Sequence, residues 1–147
     1  MESKQSVQRQ RGFTLIELLV VLVILGLLAS VAGPKVIGYL GGAKSDTARL
    51  QIEEFGASLD LFKLETGRYP TTQESLQALV QRPAGLAGWN GPYLKKKTLP
   101  KDPWGNDYRY ASPGQHGVYD ISSLGADNKE GGDAENKDIN GWEDSKK

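Results

Sequence analysis

Two stretches hold residues whose types and spacing could do chemistry. Glu17 is the only charged residue between Phe13 and Gly33, in an apolar run that reads FTLIELLVVLVILGLLASVAG. A carboxylate deep in hydrocarbon costs about 2.5 kcal/mol or more, so such an acid either sits at the headgroup boundary or has a partner or a function. The second stretch, Leu124 to Asp138, reads LGADNKEGGDAENKD and is rich in Asp, Asn and Gly. Ca²⁺ takes roughly six to eight oxygens from carboxylates, Asn side chains and backbone carbonyls, and Gly131-Gly132 lets a loop wrap an ion. The spacing is not that of an EF-hand, and a solvated acidic loop has the same composition. No catalytic set appears elsewhere: the chain has no cysteine, and its one histidine, His116, falls in a Pro/Gly turn and reads as ordinary surface.

The elements that position these groups follow from pattern. The apolar run is long enough for a helix to cross a hydrocarbon core about 30 Å thick, which needs roughly 20 residues. Beyond it, Ala48, Ile52, Phe55, Leu59 and Phe62 recur at intervals of four and three, the spacing of one helical face, with charged residues between them. Gly67 is a suitable left-handed cap before Tyr69-Pro70. A helix from Phe13 to about Thr66 would be roughly 80 Å long at 1.5 Å per residue. Gly33-Pro34 is expected to interrupt it, by a kink or by local melting, because proline removes one backbone bond and disfavours helix at the residue before it. Gly38, Gly41 and Gly42 weaken the next turns by up to about 1 kcal/mol each.

The remainder predicts a small mixed head. Thr71-Thr72-Gln73-Glu74 is a capping-box pattern before Leu76, Leu79 and Val80, giving a short second helix stopped by Pro83. Residues 84–106, rich in Gly, Pro and Asn, read as loop. Tyr108–Ala111 and Val118–Ser123 are strand candidates joined by a Pro/Gly turn into a hairpin. Trp89, Trp104 and Trp142 read as anchors for a loop-rich head, and Lys95-Lys96-Lys97 as a solvated face. The fold class is α+β: a long N-terminal helix, its first half membrane-spanning and its second half amphipathic, packed on a small antiparallel sheet.

Charge sets orientation and excludes a class. The 147 residues carry 18 basic and 18 acidic side chains, a balance unlike that of a nucleic-acid binder. Lys4, Arg9 and Arg11 against Glu2 make the first twelve residues basic, which keeps the N-terminus cytoplasmic and sends the polar remainder outward. A secretory signal peptide cut after Ala32 would fit the same basic and apolar segments. Against it stand Glu17 and an apolar run longer than the usual one.

Arg11-Gly12-Phe13-Thr14-Leu15-Ile16-Glu17 resembles the processing signal of type IV pilins and pseudopilins. The resemblance continues through the apolar segment, Tyr69-Pro70, Leu99-Pro100-Lys101-Asp102-Pro103-Trp104-Gly105-Asn106 and Ser123-Leu124-Gly125-Ala126-Asp127, and is to the major pseudopilins of type II secretion systems. It implies that residues 1–12 are a leader removed by a prepilin peptidase between Gly12 and Phe13, with N-methylation of Phe13. Segment 13–34 would then be the transmembrane and filament-core part, 35–66 the amphipathic half, and 67–147 a periplasmic head. Glu17 would pair with the Phe13 amine of its own or a neighbouring subunit.

The function implied is that of a structural subunit, not an enzyme. It would pass from the bacterial inner membrane into a periplasmic homo-filament that helps drive folded proteins through an outer-membrane channel. Partners would be copies of itself, minor pseudopilins, the inner-membrane assembly platform and membrane lipid, with no nucleic acid. The alternative is a type IV pilin for adhesion, motility or DNA uptake, although such pilins commonly close a C-terminal loop with a disulfide. The resemblance also implies a calcium ion in the C-terminal loop, held by Asp127 and the Leu124 carbonyl, then Asp133 and Asp138, with the Lys129 carbonyl and Asn136 completing the set.

Overall fold

The computed structural model describes residues 12–143, so the leader positions Lys4, Arg9 and Arg11 lie outside the described residues. Helix α1 runs Leu15–Thr66, 52 residues, and the chain divides into a first unit ending at Ile37 and a second from Gly38 onward. In the first unit the helix is apolar on every side, and none of its leucines, isoleucines or valines is buried. Gly33-Pro34 does not end the helix, and α1 continues through Pro34. Proline's fixed φ suits a helix, and its missing N–H removes one bond from a long ladder.

The second unit is built on the amphipathic half of α1. Ala48, Ile52, Phe55, Leu59 and Phe62 are all buried, as the four-three spacing predicts. They form one cluster with Leu76, Leu79, Leu94, Tyr108, Ile121 and Ile139. Phe55 meets Tyr108 edge-on at 5.1 Å between ring centres, and Phe62 meets Tyr93 at 5.6 Å. Truncating a fully buried residue such as Leu59 or Phe62 to alanine would cost about 2–5 kcal/mol. The helix ends where expected: Gly67 takes φ 83° and its N–H donates to the Lys63 carbonyl at 2.8 Å, a left-handed cap. Gly41 is needed for contact, because a Cβ there would lie 2.7 Å from Glu135 Cγ.

The capping box at Thr71 forms as read, but no α-helix follows it. Ser75 adopts φ 54°, accepts the Gln77 N–H through its side chain at 3.2 Å, and opens a 3-10 turn over Leu76–Leu79. The sheet has three antiparallel strands in the order β1 (Arg109–Ala111), β2 (Asp120–Ser123), β3 (Ile139–Asn140). Tyr110 faces Ile121 across the predicted hairpin, and Ser123 pairs with Ile139. Strand β3 was not foreseen. It has only two residues and follows a polar, glycine-rich stretch, so no alternating pattern could mark it.

Candidate assembly segment and C-terminal loop

At the start of α1 the exposed Phe13 and Thr14 precede the first helical turn. Glu17 and Thr14 cap each other: the Thr14 N–H donates to Glu17 Oε2 at 3.3 Å, its hydroxyl to the same oxygen at 3.4 Å, and the Glu17 N–H to Thr14 Oγ1 at 3.2 Å. Thr14 is therefore a site residue that sequence reasoning missed, although Thr-x-x-Glu before an apolar run is a capping-box signature. Nothing lies within 4 Å of a Cβ placed on Gly12, so the Gly12–Phe13 junction is uncrowded among the described residues. Downstream, α1 is long and apolar enough to cross a membrane, and its most apolar window is entirely unburied. A continuous apolar surface of that kind requires lipid or another apolar partner around it.

The C-terminal loop folds back on itself. The Ala126 N–H donates to the Glu135 carbonyl at 2.8 Å, Lys129 N–H to Asp127 Oδ1 at 3.1 Å, and Gly131 N–H to Asp138 Oδ2 at 2.9 Å. Leu124 is buried at the end of β2, and Lys129 is exposed. Asp133 starts a 3-10 turn over Ala134–Asn136 without capping it through its side chain, and the Asn136 N–H donates to the Asp133 carbonyl at 3.0 Å. Among the described residues, no three His, Cys, Asp or Glu side chains come together, so Asp127, Asp133 and Asp138 do not form a ready carboxylate cage. The donor set nevertheless fits a hard cation at one point. Among the described residues, Asp138 Oδ1 is buried without a hydrogen-bond donor, and an orphaned anionic oxygen is the kind of group a calcium ion or a water satisfies.

The head around the loop is held by polar contacts. Arg68 forks onto Glu74 at 2.6 and 2.7 Å, and Glu74 also accepts the Thr71 N–H at 2.8 Å. The guanidinium contact, opposed by burial and aided by Thr71, pulls the Glu74 carboxyl down to about 2. Burial pushes the Tyr110 phenol up to about 12; burial and the Asp60 contact do the same at Tyr69. His116 is less ordinary than its turn suggests. Its ring stacks on Trp142 at 4.1 Å with 2° between planes, and its Nδ1 lies 3.0 Å from Asp120 Oδ2. Burial opposes ionisation of Asp120, but contacts from the His116 side chain and the Gln115 and His116 N–H groups outweigh it and lower its pKa. Trp89 anchors as expected, donating to the Ala78 carbonyl at 2.8 Å.

The first unit is thus an unburied apolar helix opening on a capped acid, and the second packs an amphipathic helical stretch against a small antiparallel sheet. Residues 7–33 match the prokaryotic N-terminal methylation motif, and residues 35–142 match the family described as Type II secretion system (T2SS), protein G. The chain belongs to the protein G family of the type II secretion system. It is 48% identical over 140 residues to the type II secretion system core protein G of Pseudomonas aeruginosa, across 92% of this chain and 97% of that one. Identity to the Vibrio cholerae core protein G is 45% over 141 residues, across 94% and 95%. The fold is similar to the crystal structure of the major pseudopilin from the type 2 secretion system of enterohaemorrhagic Escherichia coli. There the TM-score is 0.62 and the identity 32%, over 73% of this chain and 93% of that one. The resemblance read from the sequence, and the α+β fold with its long N-terminal helix, are borne out.

Proposed function

We propose that this chain is the major structural subunit of a type II secretion pseudopilus, made as a precursor and cut between Gly12 and Phe13 by a prepilin peptidase, with N-methylation of Phe13. The observation that carries this reading is an unburied apolar helix opening at Thr14–Glu17 in a chain of the protein G family. The first part of α1 holds the subunit in the inner membrane, with the head in the periplasm. Assembly proceeds from that membrane with copies of itself, minor pseudopilins and the assembly platform, and the filament helps move folded proteins through the outer-membrane channel. The subunit works by assembly, without catalysis. Intact mass of the protein from its native membrane tests the processing step. A mass one methyl group above residues 13–147 is expected, and retention of residues 1–12 overturns it.

We also infer a calcium ion in the C-terminal loop, with Asp127 and the Leu124 carbonyl as principal ligands, Asp133 and Asp138 beside them, and the Lys129 carbonyl and Asn136 completing the set. The buried, donor-less Asp138 Oδ1 supports this reading, as does a cysteine-free head that lacks a disulfide staple. When bound, the ion neutralises clustered carboxylates and cross-links the loop. A ligand bound only by the folded state stabilises it by about 2.7 kcal/mol at a hundredfold excess over its Kd. Millimolar Ca²⁺ should therefore raise the Tm of the full chain in detergent, and Asp127→Ala should abolish the rise. Identical melting with Ca²⁺ and with chelator would remove the ion from the account.

A further inference from the structure

We infer that Asp102 is a positioning residue for the C-terminal loop: it fixes Ser123 and Asn106, and these two hold the backbone at Gly125. The inference rests on the calcium reading only where it concerns the ion. Asp102 is 4% exposed and Ser123 fully buried, the two most enclosed polar side chains in the head. Asp102 Oδ1 accepts the N–H groups of Trp104 at 3.0 Å and Asn106 at 2.8 Å, which closes the turn 102–106. Its other oxygen, Oδ2, accepts the Ser123 hydroxyl at 2.6 Å.

Both residues held in this way act on one glycine. Ser123 Oγ accepts the Gly125 N–H at 3.3 Å, and Asn106 Nδ2 donates to the Gly125 carbonyl at 2.8 Å. The Gly125 N–H belongs to the same planar peptide unit as the Leu124 carbonyl, so fixing that N–H fixes the direction of that carbonyl. A buried carboxylate without a cation is costly, and an apolar residue of similar size would often stabilise a core as well or better. What an apolar residue cannot do is accept from a turn and from a strand end together. Three donors converge on the two oxygens of Asp102, and asparagine would turn an NH₂ group toward Ser123 instead of an acceptor. The arrangement ties the Pro100–Asn106 segment to the loop that begins at Leu124, with the carboxylate as the knot.

Hydrogen exchange on the full chain in detergent, with chelator present, tests this directly. Ser123→Ala cuts the knot on the loop side and leaves the turn's two backbone bonds intact; Asp102→Asn keeps the turn's acceptor and reverses the contact to Ser123. Both variants should exchange the Gly125 and Ala126 amides at least tenfold faster than the parent, with the amides of Ile52, Phe55 and Leu59 unchanged. Equal rates at Gly125 and Ala126, or an acceleration spread evenly into α1, would overturn the inference. If Asp102→Asn fails to fold, Asp102→Glu, which keeps the carboxylate but lengthens its reach, takes its place with the same acceleration at Gly125 and Ala126 expected. Added Ca²⁺ at millimolar concentration gives a second reading: the parent's loop amides should slow further, and Ser123→Ala should need at least fivefold more ion for half of that effect. A parent that does not respond to Ca²⁺ overturns the calcium reading, and the ion-free comparison still decides the role of Asp102.

Discussion

Thr14–Glu17 and Thr71–Glu74 are the same four-residue cap put to two uses. In each, a threonine N–H donates to the glutamate and the glutamate N–H donates to the threonine hydroxyl. At Thr71 the glutamate is closed off: its carboxylate is forked by Arg68 at 2.6 Å, and the N–H contact is 2.8 Å. At Thr14 the corresponding contacts are 3.3 and 3.4 Å, exposed, and Glu17 takes part in none of the ion pairs among the described residues. The head uses its box to fix a turn, whereas the box at the start of α1 leaves its charge open to a further partner. In hydrocarbon that openness is expensive, which is why a cation such as a terminal amine is the expected complement.

The largest effect should come from removing the charge while keeping the cap. Glu17→Gln retains an acceptor for the Thr14 N–H but cannot pair with the Phe13 amine. On the proposed pairing of Glu17 with the Phe13 amine, losing one member of a buried ion pair costs about 3 kcal/mol or more, so filament yield should fall more than a hundredfold while the subunit remains in the membrane. Measured by cross-linked ladders and by membrane fractionation, parent-like assembly of Glu17→Gln would reduce this box to the role of the other one.

The contrast between the boxes also shows what the sequence could reveal. The box at Thr71 is legible as a capping signature, although the turn it opens leads into a 3-10 segment and not the expected α-helix. The identical pattern at Thr14 was hidden because the acid in an apolar run already had an explanation. The stripe from Ala48 to Phe62 was legible because burial on a helix imposes a period on the sequence. Other features had no local trace. Strand β3 is made by two residues that pair with Ser122 and Ser123, and the His116–Trp142 stack joins residues from separate turns. Asp102 lay within a stretch that carried the family resemblance, yet its role depends on Ser123 and Gly125, which only the fold brings to it. At Pro34 the helix continues, because one missing donor in a long ladder is not enough to end it.

A smaller effect is expected at the closed box, and it should depend on pH. The folded-state pKa of Glu74 is depressed to about 2 from an ordinary 4.5. Its contribution is therefore present above about 4.5 and lost as pH falls from there toward 2. Arg68 is partly exposed, so the ion pair is worth only about 1 kcal/mol. Glu74→Gln should lower stability by that amount at neutral pH and flatten the acid limb between pH 4.5 and 2, as thermal unfolding across that range would show. An unchanged acid limb would mean that the fork carries no net energy and that the two boxes differ less than their distances suggest.

The smallest effect belongs to Thr14 itself. Thr14→Ala removes the hydroxyl that accepts the Glu17 N–H and leaves the carboxylate in place, so only the start of the helix is weakened. Replacing a capping threonine by alanine costs about 0.5–1 kcal/mol at an exposed site, equivalent to a two- to fivefold change in an equilibrium. Filament yield should fall by about that factor, and Thr14→Ser, which keeps the hydroxyl, should restore it. The comparison that matters is with Glu17→Gln, the charge removed and the cap kept. If Thr14→Ala proved as damaging as Glu17→Gln, the cap and the charge would not be separable, and Glu17 would act by holding its own helix start and not by reaching a neighbouring amine.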